Sequence, residues 1–419
     1  MNWVLATLDS LPIEIIDGDR SAKYPKREEF LDEGMPFLNS TNIVDNRLDL
    51  TETNFVSMEK YSQIRKGRFQ AGDILMTTRG SIGKVAWMPP GLQGLINAQM
   101  LILRVAPNAL DGRFLFSVLS SDDAQQSLKN FASGSAQPQI PIRDLRQISI
   151  RIPDLVTQRR IASILSAYDD LIENNTRRIA ILEEMASRIY EEWFVRFRFP
   201  GHEDVRMVES ELGLVPQGWV VVAASQAIQI NPTTKVPKDG LKPFLAMNCL
   251  SNGSMLIDYP SQRDGNSGTK FRNGDTLFAR ITPCLENGKT GFVQFLPTDE
   301  AVAFGSTEFI VLRSRTLTPE FVYLLARSDP FRENAIKSMS GASGRQRVRE
   351  ACFNTFLMAN PDGETLMKFD AVVRPMFTLI QSLAMKNANL RTTRDLLLPK
   401  LISGELDVST LPEPQAETA

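Results

Sequence analysis

Hydrophobic residues in the middle of the chain recur in alternating steps of four and three residues. The positions of this pattern are Ile161, Leu165, Tyr168, Ile172, Asn175, Ile179, Leu182, Ala186, Ile189 and Trp193. Charged residues fill the other faces, and a 3.5-residue period sustained over this length is typical of a coiled coil. At 1.5 Å per residue, the pattern predicts a helix about 48 Å long.

A second stretch near the end of the chain follows the same rhythm. Its positions are Phe369, Val373, Met376, Ile380, Leu383, Asn387, Leu390, Arg394, Leu397 and Leu401. Each is offset from its counterpart by the same amount, so the two helices are expected to pair antiparallel, with Asn175 and Asn387 in or near the seam. The alternative is two unrelated helices that pack on separate cores. Pro375 removes one backbone donor, which predicts a kink between helical segments 364–372 and 376–402.

Shorter motifs recur in the same order in the two halves of the chain. The run RFQAGDIL at 68–75 is echoed by KFRNGDTL at 270–277, and LILR at 101–104 is echoed by IVLR at 310–313. The spacing between the copies agrees within a few residues, although the intervening sequence differs. Two copies of one unit, each a globular domain followed by a long helix, explain this order.

Short runs of strand-forming residues bounded by Gly or Pro predict the strands of each copy. They lie at 73–78, 101–105 and 148–152 in the first copy and at 276–279, 309–312 and 353–357 in the second. One amphipathic helix is predicted per copy, at 114–128 and at 319–337. The predicted fold class is mixed α+β: two similar α/β domains joined by two long antiparallel coiled-coil helices, with a pseudo-twofold internal repeat.

The composition limits the kinds of site that this chain can contain. The 419 residues carry a net charge of −2 and 42% of them are hydrophobic, as in an ordinary globular protein. No apolar run approaches the roughly 20 residues of a membrane helix, and the start resembles no signal peptide, so we expect no membrane association. Cys249, Cys284 and Cys352 are far apart and His202 is the one histidine, which leaves almost no candidates for zinc binding or Ser-His catalysis.

Enzyme signatures are incomplete. The run GKT at 288–290 resembles the end of a Walker A loop, but Pro283 stands where that motif requires glycine. The run MPPG at 88–91 lacks the flanking groups of the Asn-Pro-Pro-aromatic loop of amino-methyltransferases. We therefore expect no catalytic residue, no metal and no cofactor in this chain. The slightly acidic net charge argues mildly against nucleic acid, but a long chain can still carry local basic surfaces.

Polar loops at equivalent places in the two copies are rich in side chains that contact nucleic acid. Arg, Asn and Gln suit base edges, whereas Lys and the hydroxyls of Ser and Thr suit phosphates. Each loop alone could be a plain turn, and their recurrence favours DNA binding. The candidates are Asn39, Ser40, Thr41, Asn42, Thr78, Arg79, Ser81, Lys84, Gln137 and Gln139 in the first copy, and Asn248, Arg280, Thr282, Lys289, Ser343, Arg345, Gln346 and Arg347 in the second.

Three stretches resemble the specificity subunit of type I restriction–modification systems. They are QRRIASIL at 158–165, LLLPKLISGEL at 396–406 and the turn RGSIGK at 79–84. The resemblance implies two target-recognition domains that alternate with two helical spacer regions. It divides the chain into a first recognition domain (1–153), a spacer helix (154–199), a second recognition domain (200–361, with a linker at 200–215), a second spacer helix (362–406) and a disordered tail (407–419).

The resemblance also implies partners. Such a subunit binds double-stranded DNA at a bipartite target in the prokaryotic cytoplasm and recruits two modification (adenine methyltransferase) subunits. Restriction (translocase) subunits join in the full complex. S-adenosylmethionine, ATP and magnesium are then expected in those partner subunits. The alternatives are a non-catalytic scaffold that binds proteins across a helical rod, and a fused methyltransferase–specificity polypeptide, against which the missing catalytic motifs argue.

Overall fold

The computed structural model describes residues 3–131, 139–258, 260–342 and 344–412. The chain forms two compact units, one made of Met1–Ile172 with Asn389–Ala419 and the other of Glu173–Ala388. Each unit holds one globular domain and a part of both long helices. The units therefore divide each helix, whereas the sequence-based division treats each helix as a region of its own.

The first unit contains twelve strands in its described residues. They are β1 (Val4–Thr7), β2 (Ile13–Asp17), β3 (Met35–Leu38), β4 (Ile43–Val44), β5 (Arg47–Leu48), β6 (Asn54–Val56), β7 (Arg68–Phe69), β8 (Ile74–Thr77), β9 (Val85–Trp87), β10 (Gly94–Ile96), β11 (Met100–Val105) and β12 (Ser149–Ile152). The helices that begin here are α1 (Met58–Gln63), α2 (Gly112–Ser120), α3 (Asp122–Asn130), α4 (Ile142–Leu145) and α5 (Leu155–Tyr190).

The second unit also contains twelve strands in its described residues. They are β13 (Met207–Ser210), β14 (Gly213–Pro216), β15 (Val220–Ala223), β16 (Ile228–Ile230), β17 (Lys242–Leu245), β18 (Ser261–Arg263), β19 (Thr269–Arg272), β20 (Thr276–Ala279), β21 (Thr290–Phe292), β22 (Val302–Gly305), β23 (Phe309–Ser314) and β24 (Leu357–Asn360). Its helices are α6 (Ala224–Ala227), α7 (Pro319–Arg327), α8 (Asp329–Lys337) and α9 (Gly363–Ser403).

The two domains share one sheet topology. A four-stranded sheet has the order β2-β11-β8-β9 in the first domain and β16-β23-β20-β21 in the second. A second sheet has the order β6-β3-β10-β7 in one and β18-β17-β22-β19 in the other, with one parallel pair in each, β3–β10 and β17–β22. The antiparallel pair β1–β12 corresponds to β15–β24. The predicted mixed fold with an internal repeat is confirmed.

The central strands are buried on both faces. All four residues of β8 are buried. Side chains alternate along a strand, so Ile74 and Met76 pack into a cluster with Phe114 of α2, whereas Leu75 packs on the opposite side with Phe69. In the second domain β20 is equally buried. This two-sided burial explains why β8 and β20 are short, mostly apolar runs in the sequence.

Each predicted amphipathic helix is two helices, so the single helices at 114–128 and 319–337 were wrong. The first breaks at Ser121, which is extended and whose hydroxyl accepts a hydrogen bond from the amide of Ala124, capping α3. The second breaks at the extended Ser328, and Pro330 lies in the first turn of α8. A capping serine marks the start of α3, and a proline suited to the first turn marks the start of α8.

The strand predicted at 353–357 was also wrong. The segment Glu350–Asn354 is a 3₁₀ helix, and the strand of this region is β24. Its register is set by β15, where Ala223 pairs with Leu357. Phe353 is fully buried and stacks on Phe331 with 5.0 Å between ring centroids. Packing against α8, rather than strand pairing, decides the local conformation.

Helix α9 is continuous from Gly363 to Ser403, so the predicted division into two helical segments at Pro375 was wrong. Pro375 is exposed, as is Ala371, whose carbonyl loses its helical hydrogen-bond partner and faces the solvent side. On the opposite face Val373 and Phe377 are 0% and 2% exposed. Core packing on one face and access to water on the other therefore tolerate the proline. Helix α5 is followed by a π-helical turn, Glu191–Val195.

The long helices run antiparallel in each unit. In the second unit Asn175 Nδ2 donates to Asn387 Oδ1 at 2.9 Å, and the rings of Trp193 and Phe369 lie 5.9 Å apart. Residue numbers thus rise along α5 while they fall along α9. The predicted antiparallel pairing is confirmed. Of the seam positions, Ile161, Leu165, Ile172, Ile179, Ile380, Leu383 and Asn387 are buried, and Tyr168, Asn175, Leu182, Ile189, Met376, Leu390 and Leu397 are half-buried.

The segment after α9 is packed at its start. Val408 is 3% exposed within the core cluster of the first unit, so the predicted disorder does not begin at residue 407. Residues 413–419 of the predicted tail lie outside the described residues.

Replacing Asn387 by leucine should destabilise the second unit by about 1–3 kcal/mol, because the half-buried amide of Asn175 loses its acceptor. Leucine at both positions should recover part of this loss, since the Asn175 amide is then gone and only Thr176 Oγ1 still lacks its 3.2 Å bond from Asn387 Nδ2. Chemical denaturation of the two variants measures the difference, with the exposed Asn389→Ala as a control. A double variant less stable than Asn387→Leu would contradict this account.

Candidate nucleic-acid interface

Loops from distant parts of the sequence meet at one end of the first domain. The amide of Thr78, just after β8, donates to the carbonyl of Gln99 at 2.9 Å. The amide of Ile140 donates to the carbonyl of Thr78 at 3.0 Å. The amide of Asn97 donates to the carbonyl of Leu38 at 2.8 Å. These bonds bring together the loops that follow β3, β8 and β10, together with the segment before α4.

The same three bonds recur in the second domain. The amide of Arg280 donates to the carbonyl of Glu308 at 3.0 Å, and the amide of Val348 donates to the carbonyl of Arg280 at 2.9 Å. The amide of Ser306 donates to the carbonyl of Leu245 at 2.9 Å. The two loop sets are therefore structurally equivalent, and Gln99 corresponds to Glu308.

In each domain one isolated β-bridge joins the loop after β8 or β20 to the segment near residue 139 or 347. Arg79 pairs with Gln139 in the first domain, and Ile281 pairs with Arg347 in the second. The loops that the sequence analysis matched between the copies are thus adjacent in each. We call these sets the first loop cluster (residues 39–42, 78–84, 97–99 and 139) and the second loop cluster (residues 246–249, 280–289, 306–308 and 345–347).

Most of the described candidate residues are accessible on these clusters. The exposed ones are Thr41, Ser81, Gln139, Asn248, Arg345 and Arg347, and the half-buried ones are Asn39, Ser40, Arg79, Lys84, Arg280, Thr282, Lys289 and Gln346. Gln137 and Ser343 lie outside the described residues. Direct DNA contact by these side chains stays a prediction.

Two candidates are buried and serve the loops themselves. Asn42 is 3% exposed; its amide nitrogen donates to the carbonyl of Asp49 and to Thr53 Oγ1, and its oxygen accepts from the amide of Asn39. Thr78 is 7% exposed, and its hydroxyl donates to the carbonyl of Gln99. This geometry disfavours both as direct DNA contacts, because their polar atoms already have partners inside the protein.

The two candidate lysines hold equivalent loops in place. Lys84 Nζ donates to the carbonyl of Ile43 at 3.1 Å, and Lys289 Nζ donates to the carbonyl of Met247 at 3.2 Å. Lys84 links the turn after β8 to the start of β4, directly after the 3₁₀ turn Ser40–Asn42, and Lys289 links the turn after β20 to the 3₁₀ turn Met247–Cys249. Their shared structural role explains the recurrence of the Gly-Lys motif without requiring a phosphate.

A buried ion pair fixes the strands beneath each cluster. Asp73 accepts from Arg104 Nε and Nη2 at 2.8 Å each, and Asp275 accepts from Arg313 Nε and Nη2 at 2.7 Å each. Both aspartates are 1% exposed. Such bidentate pairs orient both partners, so the loops emerge from a rigid frame.

The sequence analysis missed Gln99 and Glu308. The carboxylate of Glu308 accepts from Arg347 Nε at 2.9 and 3.1 Å and from Nη2 at 2.6 Å. The hydrogen bonds from Arg347 hold the pKa of Glu308 below its usual range. Extending the matched strands 101–104 and 310–313 backwards by two residues would have paired these positions.

The loop at residues 252–255 is hydrogen-bonded to helix α5. Glu183 accepts from Ser254 Oγ at 2.7 Å and from the amide of Met255 at 2.6 Å. Arg327 donates to the carbonyls of Asn252 at 3.1 Å and Gly288 at 2.8 Å. Burial raises the pKa of the Glu183 carboxyl. The long helix thus holds the loop at 252–255 as well as forming the seam.

Other site types have little support in the described part of the chain. No three His, Cys, Asp or Glu side chains are grouped there to hold a metal ion. Within the same residues, no helix combines the length and apolarity that a membrane span requires.

The arrangement defines a class of protein: two copies of one mixed α/β domain, each ending in a polar loop cluster and each continued by a long helix, form a tandem-domain recognition protein. Residues 13–184 match the family model described as the type I restriction modification DNA specificity domain. The resemblance of the chain to specificity subunits of type I restriction–modification systems is confirmed by its relatives.

These relatives match over most of their length. The chain is 26% identical over 360 residues to the type I restriction enzyme MjaIX specificity subunit of Methanocaldococcus jannaschii, which covers 82% of this chain and 79% of the relative. It is 22% identical over 455 residues to the HindI specificity subunit of Haemophilus influenzae, covering 93% and 98%. The fold is similar to the crystal structure of a type I S subunit from M. genitalium, with a TM-score of 0.59 at 16% identity over 96% of each chain.

Proposed function

We propose that this chain recognises a bipartite target on double-stranded DNA, with each domain reading one half. The observation that carries the proposal is the recurrence of one loop cluster, built by the same backbone hydrogen bonds, in two domains whose exposed side chains differ. Equivalent scaffolds with different side chains suit two different half-sites. Base edges are read by side-chain chemistry, whereas backbone geometry only positions it.

The long helices would set the unread gap and dock two modification subunits. Exposed apolar side chains on both helices, such as Leu171 at 52%, Ile181 at 49% and Met385 at 56% exposure, support a docking role. The internal repeat offers two similar surfaces to two identical partners. Restriction subunits would join this complex, which would act in the prokaryotic cytoplasm.

Catalysis would belong to the partners. S-adenosylmethionine would serve the modification subunits, and ATP and magnesium the restriction subunits. This chain would have no catalytic residue of its own.

Methylation of a randomised DNA library tests the proposal. The chain, purified with its modification subunits, should methylate sites that share two short specific sequences separated by a gap of fixed length and no sequence preference. The modification subunits alone should show no such preference. A complex that forms but methylates without any split target would favour the scaffold alternative.

Recognition should be modular by domain. Replacing Arg79 by alanine should relax one half-site only, weakening binding by about 1–3 kcal/mol if the side chain contacts a base. Arg345→Ala should affect the other half-site. The exposed Arg151 on β12 lies outside the loop cluster, so Arg151→Ala is a matched control. Equal loss of preference in both half-sites after either change would refute the modular assignment.

A further inference from the structure

The guanidinium of Arg347 is held along one edge only. Its Nε and Nη2 donate to the carboxylate of Glu308, and no acceptor among the described residues faces Nη1. The side chain of Arg347 is 47% exposed, and that of Glu308 is 24% exposed. Because a guanidinium carries five donors in a planar fork, the edge formed by Nη1 and Nη2 stays available to a ligand.

Both partners of this pair are anchored through their backbones. Arg347 exchanges two backbone hydrogen bonds with Ser340, each 3.0 Å long. The carbonyl of Glu308 accepts from Arg280, and its amide donates to Ser306 Oγ at 3.1 Å. A side chain already fixed in one orientation loses little conformational entropy on binding. The free edge of Arg347 is therefore presented ready to bind.

The charges of Arg347 and Glu308 favour a base over a phosphate as the ligand of Arg347. Glu308 neutralises Arg347, and its carboxylate would repel a nearby phosphate. A guanine edge carries two acceptors, O6 and N7, and no net charge. Two parallel donors from one arginine match it, which is the commonest specific arginine contact in the major groove.

We propose that Arg347 reads a guanine in the second half-site through Nη1 and Nη2, and that Glu308 is the positioning residue that fixes this orientation. The proposal rests on the DNA recognition proposed above. At the equivalent positions the first domain carries Gln99 and Gln139, two neutral amides. Arg347 and Glu308 thus form an ion pair at a place where the first domain has two neutral amides. This arginine–guanine contact therefore belongs to the second half-site alone.

Methylation profiling of the complete complex on a randomised library tests this inference. Glu308→Ala should relax the preference for guanine at one position of the second half-site by at least about fivefold, and Arg347→Ala should abolish it. Glu308→Gln keeps the shape and one acceptor, so its effect should be intermediate. The double variant should behave like Arg347→Ala, because Glu308 acts only through Arg347.

Controls separate positioning from general damage. Glu333 pairs with Lys337 on α8, outside the loop cluster, with 3.3 Å between Oε2 and Nζ, and Glu333→Gln should leave the guanine position unchanged. All variants should keep the preference at other positions and the wild-type melting temperature. A uniform loss across all sequences with a shallower salt dependence after Arg347→Ala would mark a phosphate contact and overturn the inference.

Two further outcomes are decisive. An unchanged base profile of Glu308→Ala, in a complex whose wild type has a split target, would overturn this inference alone. A wild-type complex without a split target would overturn the proposed function and this inference together.

Discussion

Replacing Asp275 by alanine should destabilise the second domain by about 3–5 kcal/mol, the cost of breaking a buried ion pair from one side. Arg313 is 12% exposed and would keep its charge without a carboxylate, and the amide of Arg272 would lose its acceptor as well. The equivalent Asp73→Ala should cost less, because its partner Arg104 is 28% exposed and reaches water more readily.

Hydrogen–deuterium exchange during chemical denaturation can follow the two domains separately. Asp275→Ala should speed exchange in β20 and β23 and leave the first domain unchanged. Combining Asp275→Ala with Arg313→Met removes the unpaired charge of Arg313 and should restore part of the stability. The exposed Asp239→Ala serves as the control. A loss from Asp73→Ala that equals or exceeds that from Asp275→Ala would contradict the role given to burial.

Lengthening both long helices should change the gap of the DNA target while both half-site sequences are kept. Four residues inserted between Ile172 and Glu173, and four between Ala388 and Asn389, fall where the two units divide each helix. The ion pair Asp169–Arg394 then stays within one unit, and the pair Asn175–Asn387 within the other. Glu183 is unsuitable for such an insertion, because it holds the loop at Ser254 and Met255.

The size of the change follows from helix geometry. Four residues lengthen a helix by about 6 Å and turn it by about 40°. A DNA duplex rises about 3.4 Å and turns about 34° per base pair, so a gap longer by about one or two base pairs should restore the fit. Insertion in α5 alone mismatches the helices and should abolish specific methylation. A double insertion with an unchanged gap would show that the helices do not set the spacing.

The heptad patterns and the repeat could be predicted because they are periodic signals within short stretches. A residue such as Ile179 or Ile380 recurs at a spacing that only a helix buries on one side. Strands β8, β11 and β20 were equally accessible to prediction, since each is a short apolar run bounded by glycine or polar residues. The agreement of the two copies then gave the order of the domains and the antiparallel pairing.

The points at which helices end or continue were harder to predict, because they depend on what packs against each segment. Ser121 and Ser328 each end one helix and begin the next, although the apolar pattern continues across them. Pro375 was expected to divide α9 into two segments, yet one buried face and one solvated face sustain the helix through it. A sequence pattern records which residues are apolar, but it does not record which side of a helix will face water.

The sequence by itself determined the class of fold, the repeat, the long helices and the set of polar loops. Only the tertiary structure decided which loop residues are accessible and which serve the loops themselves. Asn42 is buried, and Lys84 holds a neighbouring turn. Glu308 and Arg347 meet across 39 residues of sequence. The physical reason is that accessibility and ion pairing at a site depend on contacts between distant segments, which no periodicity within one segment encodes.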